Sequence, residues 1–175
     1  MDGLDPVINK NTKIIILGTF PSIKTREASE QNNHKRYYIN NSNQFWKIIF
    51  KILNNGIFLE EGREEFLLNR YIGLWDVIKS CDFKKVNTSL DKNIINPIYN
   101  DFDFLRKNCP QLKNIYFNGK KAEKYFCRYL KKQANENVKE WAKSCSIKVL
   151  PSTSCANTRK NKEDKWKEAL ENFSN

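Results

Sequence analysis

Short runs of consecutive apolar residues alternate along the chain with longer segments in which apolar residues recur at helical spacing. The first run, from Lys13 to Leu17, is rich in β-branched side chains and ends at Gly18, which is typical of a buried strand in a parallel sheet. Further strands are predicted at Tyr71 to Val77, at Asn114 to Asn118 and at Ile147 to Leu150.

Helices are predicted between and after these strands. The first begins at Ser42 or Asn43, whose side chains can cap free N–H groups, and it stops at Asn54-Asn55-Gly56. The polar stretch from Thr25 to Arg36 is predicted to be an exposed loop or a short helical turn. The other helices are predicted, in chain order, at Glu61 to Asn69, Ile98 to Lys107, Lys120 to Lys132 and Glu163 to Phe173.

The alternation of strands and helices predicts an α/β fold in which helices cover both faces of a parallel sheet. In such sheets the loops that follow the strands form the ligand crevice. The loop from Thr19 to Ser22 follows the first strand, and the segment from Pro151 to Ser154 follows the last. A chain of 175 residues suits one domain, so we expect residues 1–175 to form a single domain.

The net charge of the chain indicates a class of partner. The chain has 31 Lys and Arg residues against 20 Asp and Glu, which gives a formal net charge of +11. An excess of this size favours a polyanionic partner, and nucleic acid is the usual one. A solvated basic surface without such a partner is the alternative interpretation.

Several classes of protein are not expected from the composition. No apolar stretch reaches the ~18 residues of a membrane span, and the first residues are acidic rather than apolar, so we expect neither a membrane segment nor a secretory signal. The five cysteines are odd in number and lack CxxC spacing, which favours reduced thiols in a cytoplasmic compartment. We expect no metal and no cofactor, because the chain has no zinc or iron–sulfur pattern and no GxGxxG or P-loop.

Four segments, in this order, resemble the mismatch-specific and hypoxanthine-DNA glycosylase branch of the uracil-DNA glycosylase superfamily. The resemblance implies a three-layer α/β/α sandwich around a central four-stranded parallel sheet. It also implies a monofunctional DNA glycosylase, which flips a damaged base out of the duplex and hydrolyses its N-glycosidic bond. The segments are Leu17-Gly18-Thr19-Phe20-Pro21-Ser22, Tyr37-Tyr38 with Asn43-x-Phe45-Trp46, Gly73-Leu74-Trp75-Asp76-Val77, and Leu150-Pro151-Ser152-Thr153-Ser154-x-Ala156-Asn157.

The resemblance implies that Asn43 holds the catalytic water. An amide offers a donor and an acceptor, so it can orient a water without titrating. By its own context Asn43 is a helix cap, and the two roles are compatible. The resemblance places Tyr38 under the flipped base, although Tyr37 fits equally well from sequence. The floor of the base pocket would be formed by Gly18, Thr19, Phe20 and Pro21, whose N–H groups could bind the base.

The loop after the last strand is implied to grip DNA. In the superfamily this loop enters the minor groove, and serine and threonine hydroxyls suit phosphate contacts. Basic residues just beyond it, Arg159, Lys160 and Lys162, can hold the DNA backbone or form a solvated helix face. The residues predicted to bind DNA are Ser152, Thr153, Ser154, Asn157, Arg159 and Lys160.

Two absences point to the substrate within the resemblance. Leu150 stands where uracil-specific members have a histidine, and Thr19-Phe20-Pro21 contains no carboxylate to activate water. The expected substrate is therefore hypoxanthine in double-stranded DNA, excised by a monomer during base excision repair. Ile39 stands for the family's glycine and Asn40-Asn41-Ser42 for His-Pro-Arg. The alternatives are a DNA-binding module without turnover, a glycosylase for uracil or another deaminated or alkylated base, and an enzyme acting on a free nucleotide.

Overall fold

Strands and helices alternate in the computed structural model, which describes residues 2–22, 25, 37–84, 93–155, 157 and 161–171. In chain order the elements are β1 (Ile14–Gly18), α1 (Phe45–Leu53), α2 (Arg63–Leu68), β2 (Ile72–Asp76), β3 (Ile78–Phe83), β4 (Ile94–Tyr99), α3 (Phe102–Asn108), β5 (Asn114–Asn118), α4 (Lys120–Lys132), α5 (Glu136–Ser144), β6 (Ser146–Leu150) and α6 (Lys162–Leu170).

The central sheet has four parallel strands in the order β2-β1-β5-β6. Every residue of the inner strand β1 and of the edge strand β2 is buried, as expected for strands whose two faces are covered. The four strands predicted from apolar runs are all present, and the three-layer α/β/α sandwich with a four-stranded parallel sheet is confirmed. The apolar faces of the flanking helices supply the rest of the core; Phe45, Phe102, Phe126 and Trp166 are among its fully buried side chains.

A two-stranded antiparallel sheet, formed by β3 and β4, corrects one prediction. The segment from Ile98 to Lys107 was expected to be helical throughout, but Ile98 belongs to β4 and the helix begins at Phe102. Asp101 sets that start, because its carboxylate accepts hydrogen bonds from the N–H groups of Asp103 and Phe104. Strand β4 was not predicted because it contains Pro97, and proline is rare inside strands.

Smaller corrections concern helix ends and one loop residue. The N-cap of helix α1 is Gln44, one to two residues later than the expected cap, and the helix begins at Phe45. Helix α6 begins one residue earlier than predicted, at Lys162, and ends at Leu170. Thr25 was expected to be exposed but is buried, and its hydroxyl lies 2.9 Å from that of Ser22. The rest of the stretch from 26 to 36 lies outside the described residues.

All five cysteines are free thiols. None of the helices in the described part of the chain combines the length and the apolar character that a membrane crossing needs.

Gly73 in β2 supports a prediction about stability. A Cβ at this position would lie 2.8 Å from the carbonyl oxygen of Val7 and 3.0 Å from the side chains of Ile8 and Ile15. The Val7 carbonyl is fixed, because the backbones of Val7 and Leu74 exchange two hydrogen bonds of 2.9 Å. We expect Gly73→Ala to lower the free energy of unfolding by about 1–3 kcal/mol, as overpacking does. Urea unfolding at equal m-value measures this, and an unchanged midpoint would contradict it.

Candidate active site

The carboxyl ends of the four parallel strands lie at one edge of the sheet and carry the polar side chains of the site. The strand register places Gly18 beside Asp76 and Asn118 beside Leu150. The loops that leave these strands include the Gly18 loop and the loop beginning at Pro151. The fold therefore brings together four segments that are far apart in the sequence.

Gly18 allows two polar side chains to approach its backbone closely. A Cβ at this position would clash with Oδ1 of Asp76 and would lie 3.1 Å from the Tyr38 hydroxyl. The carbonyl of Gly18 accepts a hydrogen bond from the N–H of Val77 at 2.9 Å. The Asp76 carboxylate and the Tyr38 phenol thus both lie next to the backbone of Gly18, where the first loop begins.

The rest of the first loop is packed into the protein on both sides. The Thr19 carbonyl accepts a hydrogen bond from the N–H of Ile78 at 3.1 Å, and Pro21 is buried. The Phe20 ring lies 6.1 Å from that of Phe83 in β3, beside the small apolar cluster that joins β3 to β4. The side chain of Phe20 therefore anchors the loop to the β3–β4 hairpin, and its backbone is the part left to form a pocket floor.

The structure separates the two neighbouring tyrosines, which the sequence alone left equivalent. Tyr37 is 3% exposed, and its hydroxyl donates to the carbonyls of Leu4 and Asp5, so it belongs to the core. Tyr38 is half-buried and has a φ of 54°. One face of its ring stacks on Phe45 with a centroid distance of 4.1 Å. Of the two, Tyr38 is the residue placed beside Gly18.

Asn43 lies just before helix α1, half-buried. Its Oδ1 accepts a hydrogen bond from the N–H of Phe45 at 2.9 Å, and its own N–H donates to the Asn40 carbonyl at 2.8 Å. The side chain thus ties down the first free N–H of the helix, although Gln44 occupies the N-cap position. Its Nδ2 makes no hydrogen bond within the described residues. This nitrogen and the second lone pair of Oδ1 are the groups that can hold a water.

The loop after β6 is fixed by a reciprocal pair of hydrogen bonds. Asn118 Nδ2 donates to Thr153 Oγ1 at 2.9 Å, and Asn118 Oδ1 accepts from the Thr153 N–H at 2.8 Å. Thr153 is fully buried, so its hydroxyl serves the loop's shape. Its half-buried neighbours Ser152 and Ser154 are better placed to face a ligand.

Other contacts shape the same loop. Asn157 Nδ2 donates to the Ser152 carbonyl at 2.8 Å, which makes Asn157 a brace of the loop. Ser152 lies against Gly119, where a Cβ would be 3.0 Å from the serine Cβ. The predicted DNA-binding residues Arg159 and Lys160 lie outside the described residues.

Electrostatics at the sheet edge are dominated by a buried acid. Asp76 is 4% exposed and lies at the end of β2. Burial raises the pKa of the Tyr38 phenol well above its usual value, and the negative charge of Asp76 raises this pKa further. Burial and the same charge also raise the pKa of Tyr37. Tyr38 therefore stays a neutral hydrogen-bond donor through the physiological pH range.

Sequence reasoning assigned no role to two residues of the site and misplaced a third. Asp76 and Asn118 end strands in the register that forms the edge, and a polar residue at a strand's carboxyl end is the signal that could have shown them. Lys162 was expected to hold the DNA backbone or to lie on a solvated helix face, but its side chain is buried and reaches Gln44 across 118 residues of sequence. Within the described part of the chain, no three His, Cys, Asp or Glu side chains are grouped as metal ligands would be.

Parallel strands whose carboxyl ends carry these polar groups define an α/β protein with a ligand crevice at one sheet edge. The family model of the Uracil DNA glycosylase superfamily matches residues 6–174, and the chain belongs to this superfamily.

Known relatives span nearly the whole chain. A Methanosarcina acetivorans protein named hypoxanthine DNA glycosylase is 34% identical over 168 residues, which cover 94% of each chain. A Methanosarcina barkeri protein of the same name is 33% identical over 172 residues, which cover 96% of each. The solution NMR structure of a Methanosarcina acetivorans protein described as a uracil DNA glycosylase superposes with a TM-score of 0.75 at 30% identity, covering 99% of this chain and 98% of that one.

The raised pKa of Tyr38 gives a prediction that depends on pH. We expect its phenol to remain protonated above pH ~10, where free tyrosine ionises. Since only the folded state resists this ionisation, the free energy of unfolding should fall as the pH rises above ~10. Asp76→Asn should lower the Tyr38 pKa but leave it above the usual value, because burial is the larger cause.

Cζ chemical shifts of ¹³C-labelled tyrosine, followed against pH, measure this ionisation. The Tyr38→Phe variant assigns the signal, and free tyrosine under the same conditions provides the reference. A Tyr38 signal that titrates like free tyrosine would show that the phenol is not buried beside Asp76.

Proposed function

We propose that this protein is a monofunctional DNA glycosylase that removes hypoxanthine from deoxyinosine in double-stranded DNA. The observation that carries the proposal is the hydrogen bond of 2.9 Å from the Gln44 N–H to the Thr153 carbonyl. It joins the segment of Asn43 to the serine-rich loop, so the group that would hold water lies beside the group that would hold DNA. Membership of the superfamily and the two relatives named hypoxanthine DNA glycosylase support it.

The reaction breaks the bond between C1′ of the sugar and N9 of the base. The bonding electrons leave with hypoxanthine, and an oxocarbenium-like sugar forms, as in other glycosyl transfers. A water adds to C1′ from the opposite face and loses a proton, and the departing base takes up a proton from solvent. Asn43 orients this water through its amide, and the reaction needs no group that titrates at that position.

The flipped base would lie on the face of Tyr38 opposite Phe45. The other face of this ring already stacks on Phe45, so the platform is rigid before DNA binds. Stacking of a base on an aromatic ring contributes about 1–3 kcal/mol. The backbone of Gly18, Thr19, Phe20 and Pro21 closes the floor of this pocket.

Asp76 is proposed to read the edge of the base. Hypoxanthine presents an N1–H donor, which a carboxylate accepts, whereas adenine presents a lone pair at N1, which a carboxylate repels. A buried carboxylate beside Gly18 therefore favours the deaminated purine over its normal parent. Hydrogen bonding to N1 distinguishes the two bases more strongly than a change in pocket size would.

The DNA backbone would be held by the loop after β6 and by the excess of positive charge. Ser152 and Ser154 offer hydroxyl groups to phosphates, while Thr153 and Asn157 keep the loop in shape. Arg159 and Lys160 follow the loop in sequence, and a net charge of +11 draws the protein to DNA. We propose that the chain acts as a single domain and as a monomer, on damaged DNA in the cytoplasm.

The activity is tested with a duplex that contains one deoxyinosine. After incubation with the protein, alkali cleaves the strand wherever an abasic site has formed. We expect cleavage at the deoxyinosine, and weaker or no cleavage in duplexes with uracil, an alkylated base or normal adenine at that position. Tight binding of the duplex without cleavage would show a binding module instead, and activity on free nucleotides alone would exclude a DNA glycosylase.

Asn43→Ala is expected to lose excision by more than about tenfold while it retains DNA binding, because the water loses its holder and the phosphate contacts persist. Single-turnover cleavage and the dissociation constant for the same duplex are measured together. Ser42→Ala is the matched control, since Ser42 is exposed and its hydroxyl contacts the Asn40 side chain. Unchanged excision by Asn43→Ala would show that Asn43 does not hold the catalytic water.

Asp76→Asn is expected to lower hypoxanthine excision by about tenfold or more and to reduce the preference over adenine, because an amide can also donate to N1 of adenine. Excision of both bases is compared with that of Asp82→Asn. Asp82 is a suitable control because it lies in β3 and its carboxylate contacts the exposed side chain of Asn96. If both variants discriminate like the original protein, Asp76 does not read the base.

A further inference from the structure

A buried lysine links the two loops of the proposed active site. Lys162, the first residue of helix α6, is 5% exposed. Its Nζ donates to Oε1 of Gln44 at 2.9 Å and to the carbonyl of Ser154 at 3.4 Å. Within the described residues it pairs with no carboxylate. Its charge is therefore directed at two neutral oxygens, one from each loop.

Gln44 is held by hydrogen bonds at its backbone N–H and at its side-chain oxygen. Its N–H donates to the Thr153 carbonyl at 2.9 Å, while its side chain accepts from Lys162. Gln44 is otherwise an exposed residue between Asn43 and helix α1. These two attachments fix the peptide that follows Asn43 against the loop from Thr153 to Ser154.

We propose that Lys162 is a positioning residue for base excision, which sets the distance between the water held by Asn43 and the DNA held by the loop after β6. This inference rests on the proposed function. A displacement of about 1 Å in such a pair of groups is enough to slow a reaction strongly, because the water must lie in line with the breaking bond.

The burial of Lys162 distinguishes this role from two others. A lysine that only stabilised the fold would be a poor choice, because a buried ammonium is expensive to desolvate and an apolar side chain of similar length is often as good. A lysine that contacted phosphate would need to reach the DNA, but this side chain is covered by Gln44 and the Ser154 carbonyl. Its effect should appear in the rate of excision and not in the ionic part of binding.

The test compares Lys162→Met with Gln44→Leu, which removes the acceptor of the same hydrogen bond, and with the double variant. We expect each single variant to excise hypoxanthine about tenfold more slowly in single turnover, with the double variant no slower, because both break one link. The dissociation constant should change less than about threefold, and its salt dependence should stay as in the original protein. Gln44→Glu keeps an acceptor oxygen and should retain the rate.

Lys165→Met is the matched control, because it removes the same charge from an exposed position of the same helix. Excision by Lys162→Met at the original rate would overturn the proposal. So would a normal rate in Gln44→Leu combined with a salt slope reduced by about one in Lys162→Met, since that result describes a phosphate contact.

Hydrogen exchange separates this inference from the proposed function. The Gln44 amide, which donates to Thr153, should exchange faster in Lys162→Met than in Lys165→Met, whether or not the protein excises hypoxanthine. Equal exchange in the two variants would show that Lys162 does not hold the loops together. An inactive original protein with faster exchange in Lys162→Met would refute the proposed function and leave the link in place.

Discussion

The parallel register of the central sheet is the constraint on which the rest of the structure depends. Because β1 pairs with β2 so that Gly18 lies beside Asp76, and β5 pairs with β6 so that Asn118 lies beside Leu150, the polar ends of all four strands meet at one edge. A parallel strand shifted by one residue would turn its side chains to the other face. Asp76 would then leave the pocket, and Asn118 would no longer reach Thr153.

The protein has a net positive charge, whereas the buried charged group at the proposed site is an acid. The net charge of +11 favours the approach of any nucleic acid, and this attraction carries no information about the base. At the centre of the site the buried groups are an acid, Asp76, and a phenol that burial keeps neutral. In the proposed function the basic surface would attract the DNA, while Asp76, buried at the end of β2, would present its carboxylate only to a base inside the site.

The sequence predicted the strands of the central sheet well and the contacts between loops poorly. Runs such as Ile14 to Leu17 identify buried strands by themselves, whereas β3, β4 and helix α5 were missed. Pro97 weakens the pattern of β4, and the small buried residues of α5 weaken that of the helix. The resemblance supplied Asn43 and Tyr38, which lie in recognisable segments. The burial of Lys162, which was expected at a DNA contact or on a solvated helix face, could not be found in this way, because it depends on a contact with a residue 118 positions away.

Ile39, the most conspicuous departure from the family pattern, lies away from the Gly18 pocket. With Tyr37, Trp46 and Glu60 it lines a separate cleft of ≈ 150 Å³, whereas the Tyr38 hydroxyl points to Gly18. The left-handed backbone of Tyr38 is unfavourable by about 1–2 kcal/mol for a residue with a Cβ, so its neighbours must hold it in place. A β-branched residue next to it restricts the backbone more than glycine would, and stacking on Phe45 adds to this. Isoleucine at this position therefore limits the backbone freedom beside Tyr38, whose ring would be the platform for the base in the proposed function.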